Sequence, residues 1–137
     1  MTKQEFLAFS LPYGLCVLGE CDLDNRDYDE ICIYKPYHYT DEFIEKFITS
    51  DVQLAILHPL SDLTKEIDHN GEKFVPIIIL RWSENIIGWS KKNINLAIEN
   101  IRFDDAIKLI EWHFDLFGGI DSGDAIDVNS LHENPYK

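Results

Sequence analysis

The sequence predicts a small α+β domain in which a short antiparallel sheet packs against about three helices. Three observations lead there. Short apolar runs rich in β-branched and aromatic residues, at 15–18, 31–34 and 52–57, have strand length and end in turn residues. Residues 103–117, FDDAIKLIEWHFDLF, place Ala106, Ile107, Ile110, Phe114 and Phe117 on one helical face. No repeat, low-complexity tract or linker divides the 137 residues, so one domain over 1–137 with a polar tail from 120 is expected.

In chain order, Thr2 and Glu5 form a capping box for a first helix carrying Phe6, Leu7 and Phe9, which Pro12, Tyr13 and Gly14 stop. Strands at 15–18 and 31–34 flank the acidic loop ECDLDNRDYDE, residues 20–30, as a hairpin with a long tip. Thr40 caps a second helix with Phe43, Ile44, Phe47 and Ile48 on one face. The extended run 52–57 is closed by Pro59, which pushes its predecessor out of the helical region. Ser61 caps a short helical turn reaching Ile67, and Asn70-Gly71 reverses the chain.

Residues 74–80 are open between strand and helix, because their β-branched side chains favour the first and Pro76 suits the start of the second. A strand-turn-strand element is expected over 83–93 around Gly88, followed by a broken apolar stretch at 96–101. The long helix at 103–117 has Asp104 and Asp105 to complement its dipole and Gly118-Gly119 as a left-handed cap. A short extended piece is expected at 125–128.

Charge bounds the partners. Twelve Lys and Arg against twenty-five Asp and Glu give −13. Such a surface repels nucleic acid and anionic membranes, and is steered toward a basic surface. No apolar run approaches the roughly 20 residues that span a bilayer. The first residues also lack the pattern of a signal peptide, so a cytoplasmic protein is expected. The three cysteines, Cys16, Cys21 and Cys32, are odd in number and match no zinc module. Cys16 and Cys32 read as small buried hydrophobes.

No motif announces catalysis. Asn25, Asp27 and Asp29 begin like a calcium loop, but Glu30 takes its glycine position and Pro36 its bidentate glutamate position. DSGDAID, residues 121–127, is an acidic turn of a common kind. His113 has no second histidine at metal spacing and is expected along a helix edge; His58, His69, His38 and His132 stand alone in the sequence. His58, Ser61 and Asp62 are of the types that build a triad, but chance supplies such sets in any chain of this length. No catalytic residue, metal or cofactor is therefore expected. YKPYHY, residues 34–39, is the aromatic cluster suited to an interface; as a base-stacking platform it lacks a cationic groove.

Several stretches carry a resemblance. PLSDLTKEI (59–67) with NGEKFVPI (70–77), LPYGL (11–15) and EWHFDLFGGIDSGDAID (111–127) are similar to segments of a family of small phage and prophage proteins of Bacteroidetes. The match covers about a third of the chain and brings no catalytic residues with it. It implies a phage accessory protein. In that setting strong acidity implies an inhibitor of a basic host nucleic-acid enzyme or defence complex, of the anti-CRISPR kind, for example against an RNA-guided nuclease. The expected contacts are the loop acids Asp22, Asp24, Asp27, Asp29 and Glu30, the aromatics Tyr37 and Tyr39, and the tail acids Asp121, Asp124 and Asp127. The partner would be a basic host protein, with no direct binding of nucleic acid or membrane. A self-associating phage assembly module is the alternative, and a small metal-dependent hydrolase the third.

Overall fold

The computed structural model describes residues 10–20, 31–34, 54–83 and 88–137, and four strands make its central sheet. β1 (Val17–Glu20) pairs antiparallel with β2 (Ile31–Tyr34) as the expected hairpin, and on its other side with β3 (Leu54–Leu57). It lies two residues beyond the expected 15–18, so that Gly19 and Glu20 are paired. β6 (Ala125–Asp127) joins β3 in parallel, with Ala125 opposite Ala55. The long connection between β3 and β6 is what permits a parallel pair. β3 lies between neighbours on both sides, and Ala55, Ile56 and Leu57 are buried, which explains its unbroken apolar sequence.

A second, two-stranded sheet pairs β4 (Ile67–His69) with β5 (Glu72–Phe74). Asn70 (φ 50°) and Gly71 (φ 83°) turn the chain between them, the left-handed pair that a tight hairpin requires. The ambiguous stretch 74–80 divides at Val75: Phe74 ends β5, and α1 (Pro76–Ile79) begins with proline at its first position.

Four expectations need correction. Residues 60–64 form a 3-10 turn preceded by Pro59, so Ser61 lies inside it and caps nothing, and Ile67 belongs to β4. Residues 91–99 are a helix, α2 (Lys91–Glu99), where the end of a strand-turn-strand over 83–93 and a broken apolar stretch at 96–101 were expected. Ser90 caps it by accepting a hydrogen bond from the Asn93 N–H at 3.3 Å. Ile94, Ala97, Ile98 and Ile101 supply the helical stripe, which outweighs the local turn signal of Gly88-Trp89.

α3 (Phe103–Glu111) stops well before Phe117, since His113 adopts φ 62° and leaves the helix. Residues 113–115 instead line up beside His58 in a parallel bridge centred on Phe114. Gly118 (φ 73°) is therefore not the end of the long helix but the residue before the short α4 (Gly119–Ser122).

Among the described residues, two clusters of buried side chains stand out. Cys16, Leu18, Ile56, Val128 and Tyr136 pack together, and Leu63, Ile77, Leu80, Ile94, Leu109 and Phe114 belong to the second. None of the described helices is long and apolar enough to cross a membrane. The helices expected near residues 2–10 and 40–48, most of the acidic loop, Cys21, and both Tyr37 and Tyr39 lie outside the described residues.

Candidate functional site

His58 follows β3 directly and keeps sheet-like pairing. Its N–H donates to the His113 carbonyl at 2.8 Å, and its carbonyl accepts from the Asp115 N–H at 3.0 Å. Its ring, 2% exposed as a residue, stacks on Phe114 with centroids 5.2 Å apart. Pro59 turns the chain so that Asp62, four residues on, returns to the ring: His58 Nδ1 lies 3.1 Å from Asp62 Oδ2. Asn129 Nδ2 donates to the same oxygen at 2.7 Å. Burial pushes the Asp62 carboxyl up, but hydrogen bonds with His58 and Asn129 and the nearby His58 and Lys65 charges outweigh it, so it sits below the usual carboxylate range.

Tyr136, next to last in the chain, gathers two further histidines. Its ring stacks on His113 at 3.9 Å and 17°, and His58 and His69 each lie 6.5 Å away. The phenol oxygen accepts from the Cys16 N–H at 2.8 Å and donates to the Ile56 carbonyl at 2.7 Å, so it joins the chain just before β1 to β3. The Asn70 N–H in turn donates to the Tyr136 carbonyl at 2.7 Å.

Burial holds His113 down to about 3, with repulsion from His69 and His58 adding to it and a hydrogen bond to the Tyr13 backbone opposing. Burial and then His58 lower His69 as well, against the pull of Glu111 and Glu72. His58 Nε2, His69 Nδ1 and His113 Nδ1 are all buried without a hydrogen-bond partner within the described structure.

A histidine held at Nδ1 by a carboxylate keeps a basic Nε2, the arrangement that accepts a proton from a nucleophile. Here Nε2 is sealed inside the protein, so the pair as it stands belongs to a packed cluster of imidazole and phenol rings. The triad types noted in the sequence are only partly brought together: His58 and Asp62 meet, while Ser61 is exposed. His113 is buried, not placed along a helix edge. Among the described residues, no group of three or more His, Cys, Asp or Glu is arranged to hold a metal ion.

Pro59, Leu60, Asp115 and Leu116, which follow His58 and Phe114 in the chain, line a cavity of about 670 Å³ that Lys65, Trp89, Lys91 and Asp121 also line. The Asp115 carboxylate accepts from the Gly119 N–H at 2.8 Å and from the Ile120 N–H at 3.0 Å, which fixes the turn into α4. Burial raises the Asp115 carboxyl above its ordinary value, against the pull of those two amides.

No family model, curated protein or solved structure matches the chain.

The three tail acids expected to contact a partner all lie within the described residues. Asp121 is exposed on α4. Asp124 accepts from the Ser122 hydroxyl at 2.9 Å, and Asp127 accepts from the Asn129 N–H at 2.8 Å, so both also serve local turns. Asp22, Asp24, Asp27, Asp29, Glu30, Tyr37 and Tyr39 lie outside the described residues.

The histidine cluster is what the sequence concealed. His58 and Asp62 carry a weak signal, an i,i+4 spacing across a proline. Nothing in the order of residues joins either of them to His69, His113 or Tyr136, which are distant along the chain.

Proposed function

We propose that this protein is an acidic accessory protein of the phage kind its sequence resembles, which binds a basic host nucleic-acid enzyme or defence complex and inhibits it without chemistry of its own. The observation that carries this is the distribution of charge. Residues 20–51 hold ten acids against three bases, a net −7 out of the chain's −13. Carboxylates at that density attract the Lys and Arg side chains that otherwise hold phosphates, and repel nucleic acid itself. The enclosed His58–Asp62 pair supports a binding role, since a general base must reach its substrate.

Affinity capture from host extract tests the proposal. A nucleic-acid-binding protein should be enriched at about 50 mM salt and retained much less at about 200 mM. Replacing Asp22, Asp24, Asp27, Asp29 and Glu30 with lysine should abolish the capture. Enrichment of no nucleic-acid-binding protein counts against the proposal, and capture that survives the charge reversal moves the contact away from the loop.

One observation favours self-association as the second reading. Phe103 is 74% exposed and Leu96 49%, apolar area of the kind that assembly covers. Light scattering at two protein concentrations separates the readings, because a concentration-dependent mass belongs to the assembly module.

A further inference from the structure

The cavity between the 60–64 turn, the start of α2 and the 115–121 segment has a chemistry of its own, distinct from the acidic surface. Its volume of about 670 Å³ suits a small organic molecule. The body of the lining is apolar: Leu60, Ile94, Leu116 and Ile120 contribute to it, with the indole of Trp89. Trp89 is half-buried and lies 6.4 Å from Trp82 at 23°, close to parallel. Trp82 is itself fixed, as its Nε1–H donates to Asp105 at 3.0 Å. The indole is thus a supported, flat surface.

The charges of the lining do not follow the rest of the chain. Lys65 and Lys91 are matched by Asp115 and Asp121, of which Asp115 is buried and engaged by two backbone amides. Asp121 remains as the exposed acid of the lining. The Lys65 ammonium is only loosely tied, 3.8 Å from Asp62 Oδ1, and its side chain is 66% exposed. Lys91 is the first residue of α2 and exposed, two positions after Trp89. In a chain with twenty-five acids and twelve bases, a lining whose two lysines match its two aspartates is a local relief from the net negative charge.

We infer that this cavity binds a small organic anion with a flat apolar body, such as an aromatic carboxylate or sulfonate, whose ring lies against Trp89 and whose anionic group is held by Lys65 and Lys91.

The test uses the full chain and three probes of one shape: naphthalene-1-sulfonate, the neutral 1-naphthalenemethanol and the cationic 1-naphthylmethylammonium. Calorimetric titration should show saturable one-to-one binding of the sulfonate, at least about tenfold tighter than the cation, which corresponds to about 1.4 kcal/mol. Lys65→Met with Lys91→Met should remove that preference while lowering the thermal midpoint by no more than about 2 °C, since both lysines are exposed. Equal affinity for the three probes, a preference for the cation, an unaltered preference in the double variant, or no saturable sulfonate binding by about 5 mM, well above the usual micromolar-to-millimolar range, each overturns the assignment.

Discussion

Removing one oxygen atom from the C-terminal segment should measurably loosen the whole sheet. In Tyr136→Phe the ring keeps its stack on His113, but the acceptor of the Cys16 N–H and the donor to the Ile56 carbonyl disappear from a position only 4% exposed. A buried backbone group deprived of such a partner costs about 1–3 kcal/mol, so about 2 kcal/mol is expected. With an unfolding entropy of roughly 2.1 cal/mol/K per residue over 137 residues, that lowers the thermal midpoint by about 7 °C. Tyr136→Ala also loses the aromatic packing and should cost about 3–5 kcal/mol. Circular-dichroism melts and urea titrations of the three proteins give the comparison. A Tyr136→Phe midpoint within about 1 °C of the parent, well under the shift worked above, would refute the hydroxyl as a clamp between the chain before β1 and β3.

Further outcomes follow from the same geometry. His113 titrates near 6.5 when unfolded and is held to about 3 in the fold, so the unfolded chain binds more protons and stability falls as pH drops below 6.5. Between pH 6.5 and 5 this amounts to about 2 kcal/mol, with His69 acting in the same direction. The raised Asp115 opposes that loss just above 3.8, where its protonated form favours the fold. Melts at pH 7 and 5 should differ less for His113→Asn, a residue that tolerates φ 62°, than for the parent; an equal difference contradicts the assignment. Asp62→Ala should cost about 3 kcal/mol in urea unfolding by stranding His58 and Asn129. Lys65→Ala, whose ammonium is exposed, should cost under about 0.5 kcal/mol in the same assay. Gly71→Ala should cost about 1 kcal/mol by calorimetry, since a Cβ there meets no atom within 4 Å and only the φ of 83° resists it. Gly71→Asn should recover part of that loss.

Elements fixed by neighbouring residues were legible in the sequence. The β1–β2 pairing, the Asn70-Gly71 reversal, the Ala125–Asp127 strand and the burial of Cys16 all follow from local pattern and turn chemistry. The end of α3 did not, because its apolar stripe continues to Phe117 in sequence while His58 draws residues 113–115 away as backbone partners. Tertiary pairing there outweighs a helical periodicity. α2 was obscured by Gly88 and Trp89, although Ser90 was available as a cap and Ile94 and Ile98 keep helical spacing. The histidine cluster was illegible for a different reason: its members come together through β3, the β4–β5 hairpin and the final residues, a convergence that only the fold creates.

The acidic-binder account turns on whether the protein takes the place that nucleic acid occupies on its partner. The direct measurement is competition: the captured partner is immobilised, this protein is bound, and a single-stranded or duplex nucleic acid is titrated in at fixed salt. Displacement to completion, with an apparent affinity that weakens in step with added nucleic acid and with none for the 22–30 charge-reversed variant, is the predicted result. Undiminished binding at saturating nucleic acid would contradict occupation of a basic nucleic-acid site.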